Sequence, residues 1–460
     1  MVDGLRLCVI PTLTSSVSHL AYDSAILLPA KLGNLAKRSG KMHVHLLLPR
    51  DASDVVSATE FFTPEYLPAH VCHSAEGVVF PGVICDPSSA FQAVQSIGPD
   101  ALVFTNALGA SLYGVYLSMM RSDVAARPPF ILWDFSPMSS TSIDNSAFLR
   151  GNPRAALAAA LGYCMSDVLW TFSQSALNCA VDAVASQMGF ALAQSVETRA
   201  VICPSSIDMK VMQDAVGNEC SAKCDTFTIH IGGRWSSSKR YDVLSSAIVK
   251  LKAAGSDDID VLYTGMPLSR NERAFAIQAG FELVHGLKQE DAWKVVRTCH
   301  IGVNLQDAQC IPSMPLEELA LGLPVAFAAS SHFHRAFPCY PFVFDGEDGL
   351  MRMILYMKQN YAQCVAEAKL WSDEYLPQFD FEVLLSHLGD FPRAITDVNL
   401  AGYSVVVDRD GVVSLDVRGR LSRIIRGSYV ELLIARLRAR QLGYEEDLKE
   451  PRPKFRMKEK

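Results

Sequence analysis

Residues 227–265 read FTIHIGGRWSSSKRYDVLSSAIVKLKAAGSDDIDVLYTG. FTIHIGG (227–233) is a short, mostly apolar run ending in two glycines, the signature of a buried strand. After a serine-rich turn, YDVLSSAIVKLKAAG (241–255) spaces its apolar residues as a helix does and closes on Gly255. IDVLYTG (259–265) is a second strand ending in glycine. Strand, helix and strand in this order belong to a parallel sheet covered by helices.

The same rhythm extends in both directions. Downstream come NERAFAIQAG (271–280), FELVHG (281–286), EDAWKVVRTC (290–299) and HIGVNL (300–305). A short helix within IPSMPLEELALGLPV (311–325) follows, then the strand LPVAFAA (323–329). Upstream, LRLCVIP (5–11), VHLLLP (44–49), ALVFTN (101–106) and PFILWDF (129–135) read as strands. SHLAYDSAILLPAKLGNLAKRSG (18–40), N-capped by Ser18 and closed by Gly40, reads as a helix, and ALAAALGYCMSDVLWTFS (156–173) continues the rhythm. Residues 203–225 are polar and rich in turn formers, and read as the linker. The expected fold class is α/β, with two facing Rossmann-like, doubly wound domains. Ligands of such sheets bind beyond the carboxyl ends of the strands, which places the candidate site in a cleft between the domains.

Composition agrees. A chain of 460 residues suggests two or three domains, and 49% hydrophobic residues suffice for sizeable cores. The net charge of −7 gives the molecule no general attraction to nucleic acid or anionic lipid. The 12 cysteines are scattered, as in reduced buried thiols, and Cys220-x3-Cys224 has no second Cys/His pair at zinc-site spacing. MVDGLRLCVIPTL lacks a basic segment followed by a long apolar core, and no apolar run is long enough to span a bilayer. A cytoplasmic location without a transmembrane segment is the expectation.

Two stretches bear chemistry. In IHIGGRWSSSKRYDVL (229–244), Gly232 and Gly233 let a ligand approach the backbone, and Arg234 and Lys239 offer a planar fork and a point charge to a diphosphate. The loop lacks the Walker pattern. In IPSMPLEELALGLPV, Ser313 suits the helix N-cap and Pro315 its first turn, leaving the amides of Met314 to Glu317 to meet an anion. Glu317 and Glu318 suit the positive end of the helix dipole. Asp258-x-Asp260, at the start of a strand, reads as a turn and not a metal motif.

Both stretches resemble the nucleotide-sugar half of the GT-B glycosyltransferases, specifically the retaining group called glycosyltransferase family 4. GGRWSSSKRYDVL matches that family's Gly-Arg…Lys-Gly/Arg-x-Asp-x-Leu. VHGLKQEDAWKVVRTCHIGVNL (284–305) matches its strand, loop and amphipathic helix, and EELALGLPV matches its Glu, Ala-rich helix and Gly-x-Pro-Val. VICPSSIDMKVM (201–212) is similar to the domain-joining segment, and LAKRSGKMHVHLLLP (35–49) to the first helix and second strand. The resemblance covers roughly residues 1–390 and is more specific in the C-terminal half.

It implies a metal-independent, retaining transfer of a sugar from a UDP- or GDP-linked donor, with no other cofactor, to an acceptor hydroxyl of a glycan or small molecule. Arg234 and Lys239 would neutralise the donor diphosphate. Glu317 would accept from the ribose hydroxyls, with Glu318 a bystander at the helix start. The backbone near Leu287 and Lys288 would meet the base, and Ser313, Met314, Pro315 and Leu316 the phosphates or sugar, beside Gly232 and Gly233. The chain departs from the family in three places. The first acid of the Glu-x7-Glu pair falls on Gln309, Trp133 stands where His is usual beside Asp134, and PTLTSSVSH (11–19) replaces a glycine loop. Thr14, Ser15, Ser16, His19, Trp133 and Asp134 would form the acceptor side.

The expected domains are 1–205 (acceptor side), 206–375 (nucleotide sugar), 376–393 (a closing helix packing back on the first domain) and 394–460. In the last, YSVVVDRDGVVSLDV (403–417) reads as a hairpin turning near Asp410-Gly411, and RLSRIIRGSYVELLIARLRARQ (420–441) as an amphipathic helix. PRPKFRMKEK is a basic tail. An arginine-rich end leaves a nucleic-acid acceptor, a hydroxylated base in DNA, as an alternative. A non-catalytic nucleotide- or carbohydrate-binding relative is the alternative of another class. HFHR (332–335) reads either as a cleft loop touching phosphate or acceptor or as a surface turn.

Overall fold

The computed structural model describes residues 5–13, 24–40, 42–49, 63–67, 69–71, 83–120, 127–134, 153–203, 206–217, 223–233, 235, 239–306, 311–381 and 383, with short stretches at 403–407, 413–417, 422–425, 444–446 and 455–457. The chain divides into two compact units, Met1–Cys203 with Asp390–Lys460, and Pro204–Gly389.

The first unit holds strands β1 (Leu5–Ile10), β2 (Met42–Pro49), β3 (Thr63–Leu67), β4 (Ala69–Val71), β5 (Val83–Cys85), β6 (Ala101–Phe104), β7 (Phe130–Trp133), β8 (Val168–Thr171) and β9 (Ala200–Ile202). Seven of them form one sheet in the order β3-β2-β1-β6-β7-β8-β9, with every pairing parallel. β4 and β5 make a separate antiparallel pair. The central strands β6 and β7 are buried along their whole length, as strands covered on both faces must be.

Local chemistry sets the helix ends. Asp86 caps Pro87–Ile97 through Ser89 N, Pro87 occupies the first turn, and Gly98 closes the helix at φ 58°. Ser173 caps Gln174–Met188. The stretch 156–173 resolves into the helix Pro153–Met165 and the strand β8, broken at Ser166-Asp167. Asp167 there accepts from both Arg127 guanidinium nitrogens and from Phe130 N, which stops the helix and ties it to β7. Ala107–Met120 (ALGASLYGVYLSMM) carries no charged residue, so it is apolar around its circumference and needs cover on more than one side. It packs on Pro153–Met165 and on the strand β16 of the C-terminal extension.

The second unit holds β10 (Phe227–Gly233), β11 (Ile259–Gly265), β12 (Phe281–His285), β13 (Ile301–Asn304), β14 (Val325–Ala328) and β15 (Val343–Phe344). Their order is β12-β11-β10-β13-β14-β15, again all parallel. The strand order reverses between β10 and β13, the topological switch point of a doubly wound sheet. Ile229, Ile231, Leu244, Ile248, Val261, Leu316, Val325 and Phe327 lie in one core. Burying each such side chain contributes about 1.5–3 kcal/mol.

The region expected as a bare linker contains a helix, Met209–Val216, capped by Asp208. Beside it, Ile207 bridges Asp380. Leu376–Phe379 is a 3-10 turn, buried at Leu376 and Phe379, in this same unit.

In the extension, β16 (Tyr403–Val407) and β17 (Val413–Val417) form the expected antiparallel pair; their turn at Asp410-Gly411 lies outside the described residues. Ser422–Ile425, expected at the start of a helix, is instead a third strand, β18, paired antiparallel with β17. The β-branched Ile424 and Ile425 suit that strand, and pairing satisfies its backbone in a way an isolated helix start does not. Residues 426–441 of the expected helix lie outside the described residues. Two further short strands, β19 (Tyr444–Glu446) and β20 (Phe455–Met457), pair antiparallel, so part of the basic tail is in a strand.

Candidate functional site

The carboxyl edge of the second sheet is lined with glycine. Gly233 and Gly265 are in register, and Gly286 N donates to Gly265 O at 3.1 Å. All three have positive φ, at 91°, 148° and 78°. A Cβ on Gly265 would overlap the Gly233 carbonyl oxygen. A Cβ on Gly232 would meet Thr264 O at 2.8 Å and Met314 Cε at 3.1 Å. This edge is bare backbone across three strands, open to close approach by a ligand.

Lys239 lies over it. Its Nζ is 3.9 Å from where a Gly233 Cβ would stand. The next residue, Arg240, is the described residue other than glycine with positive φ, at 50°, and it begins the helix Tyr241–Ala253. Such a conformation is costly outside glycine and persists where the surroundings impose it. Tyr241 Oη donates to Gly232 O at 2.9 Å, and Tyr263 Oη to Gly233 O at 2.7 Å, so the edge is pinned from two sides. Arg234 lies outside the described residues.

The helix Ser313–Ala320 follows β13 and so begins at the switch point. Its N-cap is Pro312, not Ser313 as expected, and no side chain caps it. Pro312 has the extended conformation a cap needs, which draws Ser313 into the first turn. The amide ends of Ser313 and Met314 therefore mark the positive pole of this helix. Met314 sits against Gly232, joining that pole to the glycine edge.

The two glutamates of this helix have separate surroundings. Glu317, 6% exposed, accepts from Trp293 Nε1 at 2.8 Å and from Gln289 Nε2 at 3.4 Å. Gln289 and Trp293 belong to the helix Gln289–Val296, which starts directly after Leu287 and Lys288. The structure thus places Glu317 against the same helix that the half-buried Leu287 and exposed Lys288 lead into. Glu318, expected only to suit the helix start, is buried on the other side and paired with His230 Nδ1 of β10. His230 Nε2 is 2.7 Å from Thr264 Oγ1. Burial raises the Glu318 carboxyl, against the lowering effects of His230 and Lys239.

Two polar atoms at the carboxyl end of β13 have no hydrogen-bond partner among the described residues: Asn304 Oδ1 and Gln306 Oε1. Asn304 is 6% exposed. Buried unpaired amide oxygens are uncommon in proteins, and these stand at the strand end nearest the uncapped helix. Gln309 lies outside the described residues.

In the first unit the described residues at the corresponding edge are mostly polar. Thr12 N donates to Thr105 Oγ1 at 3.0 Å, and Asn106 Oδ1 accepts from Leu108 N at 2.7 Å. Asp134, 1% exposed, accepts from Tyr163 Oη at 2.5 Å. Trp133, also 1% exposed, packs edge-on against Trp170 with ring centroids 4.9 Å apart. Trp133 and Asp134 are interior residues of this unit and offer no open surface. Thr14, Ser15, Ser16 and His19 lie outside the described residues. HFHR forms the short helix His332–Ala336 capped by Ser331; Phe333 is buried and stacks on Phe327 at 3.7 Å. Burial also lowers the His332 imidazole.

His230, Thr264, Trp293, Gln289, Asn304 and Gln306 were not signalled as site residues by the chain pattern. The hint it did carry was an imidazole inside the apolar run FTIHIGG and a second acid inside an otherwise apolar helix, two polar groups that burial would oblige to meet.

No family model matches the chain, and no curated protein matches it. Solved structures do. Anabaena HepE in complex with UDP-glucose is similar over 85% of this chain and 99% of its own, at 11% identity and a TM-score of 0.57. Sucrose-phosphate synthase from Thermosynechococcus elongatus is similar over 85% and 99%, at 11% identity and 0.59. WaaG, a glycosyltransferase involved in lipopolysaccharide biosynthesis, is similar over 84% and 100%, at 12% identity and 0.52. These similarities, together with two parallel sheets of Rossmann-like order in one chain, identify the fold as GT-B.

Proposed function

We propose that this protein is a glycosyltransferase that moves a sugar from a nucleoside diphosphate sugar to an acceptor hydroxyl. One observation carries the reading: at the switch point of the second unit, a glycine edge, Lys239 and an uncapped helix start converge. Bare backbone, a cation and a positive helix pole together suit a diphosphate. A fold shared with a protein solved with UDP-glucose supports a nucleotide-sugar donor, UDP- or GDP-linked.

In this reading Lys239 and Arg234 balance the charge that gathers on the leaving diphosphate, with preorganised groups and no metal. The amides of Ser313, Met314 and Leu316 meet the phosphates or the sugar, with Pro315 lining the same turn. Glu317 keeps carboxylate lone pairs for the ribose hydroxyls while Trp293 and Gln289 hold it in place. The backbone at Leu287 and Lys288 meets the base. Gln309 would hydrogen-bond the sugar, as would the amides of Asn304 and Gln306, whose buried oxygens are acceptors for hydroxyl groups. Retention of configuration follows from the family resemblance. The acceptor is proposed to be a glycan or a small molecule, met by the segment with Thr14, Ser15, Ser16 and His19. Buried Trp133 and Asp134 would stiffen the end of β7.

The test is turnover with a panel of UDP- and GDP-sugars, reading free nucleoside diphosphate with and without candidate acceptors. Slow release from one donor, abolished in Lys239→Ala, is expected. A chain that neither binds nor consumes any donor of the panel is not a glycosyltransferase.

A further inference from the structure

Behind the glycine edge lies a buried polar chain drawn from three elements: Thr264 of β11, His230 of β10 and Glu318 of the helix Ser313–Ala320. Their exposures are 1%, 0% and 2%. The sheet is shaped to hold the chain. His230 is in register with Gly302 on β13, and a Cβ at 302 would overlap the Glu318 carboxylate. A Cβ on Gly232 would stand 3.0 Å from His230 Cε1. The chain therefore runs directly beneath the residue that Met314 covers.

An imidazole held at both nitrogens has two arrangements. In the proton-rich one, Nε2–H donates to Thr264 Oγ1 and a shared proton lies between Nδ1 and Glu318, so the pair is neutral overall. In the proton-poor one, Nδ1–H donates to a Glu318 carboxylate, Thr264 Oγ1–H donates to Nε2, and the pair carries one negative charge. The two differ by a single proton exchanged with solvent, and the Thr264 hydrogen bond reverses.

The other groups around Glu318 do not compete for that proton. Tyr241 and Tyr340 bear on it, but burial holds both phenols well above their ordinary range. Cys299 also bears on it, and burial pushes that thiol up to about 12. The remaining neighbour is the Lys239 cation, whose charge favours the ionised carboxylate. Lys239 Nζ stands near Gly233, one residue along the edge from the Gly232 that lies over His230.

We infer that the Glu318–His230 pair, which lies beneath the Gly232–Gly233 edge, takes up one proton from solvent when a nucleoside diphosphate binds on that edge beside Lys239. The inference rests on the donor reading above. The bound phosphates neutralise Lys239 and add negative charge near Glu318, and both effects favour the proton-rich pair. By linkage, binding that takes up a proton weakens as pH rises through the pair's titration.

The experiment is calorimetric titration of UDP-glucose into the full chain, in buffers of different ionisation enthalpy, from pH 5 to 9. UDP-glucose is a diphosphate diester with no phosphate group titrating in that range, so proton uptake belongs to the protein. Wild type should take up close to about one proton per donor bound where the free pair is proton-poor, with Kd rising about tenfold per pH unit there. Glu318→Gln, which keeps the shape and removes the titrating group, should take up none and bind with a flat pH profile. Buffer-independent heat in wild type overturns the inference while leaving donor binding intact. So does undiminished uptake in Glu318→Gln. If UDP-glucose does not bind, the donor reading fails instead, and the pair is judged in the free protein. A raised Glu318 carboxyl contributes stability below the ordinary value of 4.5 that is lost as pH rises through its folded value. The Tm of wild type relative to Glu318→Gln should therefore fall with rising pH, and a constant difference overturns the proton-holding pair.

Discussion

Glu317 accepts from the Trp293 indole and the Gln289 amide, while its neighbour Glu318 lies in the sheet core against His230. A helix turns about 100° per residue, so consecutive side chains leave it in different directions. Substitution should separate the two. Glu317→Ala removes charge-assisted hydrogen bonds of about 1.5–3 kcal/mol to the proposed ribose, a loss of roughly ten- to a hundredfold in donor affinity, and it also strips the buried Trp293 indole of its acceptor, so Tm falls too. Glu318→Ala leaves buried His230 without its partner and should cost about 1–3 kcal/mol of stability in a denaturant titration. A Glu318→Ala protein as stable as wild type would mean that the pair does not hold the core together. The acid–helix pattern in EELALGLPV pointed to Glu317. It made Glu318 look like a bystander at the helix start, because spacing along the chain does not show that His230, 88 residues away, sits opposite.

Across the carboxyl edge of the second sheet, Gly233, Gly265 and Gly286 act together. Gly265 has φ 148° and packs against the Gly233 carbonyl, so it tolerates neither a side chain nor the backbone shift a side chain would force. Gly265→Ala should lower stability by more than about 1 kcal/mol and weaken donor binding with it, because the Lys239 turn and the Leu287–Lys288 loop both start from this edge. Normal donor affinity in a folded Gly265→Ala protein would remove the edge from the site. The strand ends IDVLYTG and FELVHG made these glycines visible as strand terminators. Their alignment into one rim is a matter of register, which depends on which strands pair.

The two units have separate cores, and the site proposed for the donor belongs to one of them. Hydrogen exchange with UDP-glucose should therefore protect amides at 232–240, 265–268, 286–289 and 311–317. Protection centred instead on the first unit would move the donor site. The C-terminal extension contributes to the other unit, where β16 covers the apolar helix Ala107–Met120. A chain ending at residue 394 should expose that helix and show a lower Tm with increased binding of a hydrophobic dye. An unchanged Tm would show that the extension is dispensable for the fold.

The α/β class, the parallel rhythm and the glycine-ended strand at 227–233 were all legible in the chain, because strand and helix periodicities and glycine stops are local properties. Other features were not. Ser422–Ile425 became a strand since β17 was there to pair with it, and a helix formed at Met209–Val216 where turn formers suggested a linker. Trp133 and Asp134 proved interior because β7 is a central strand whose end is closed by Tyr163 and Trp170. The His230–Glu318–Thr264 chain required β10, β11 and the helix Ser313–Ala320 to be brought together. Residue order along the chain sets what each element is. Which polar groups meet in the core depends on packing between elements far apart in sequence, where an unpaired buried charge is too costly to stand alone.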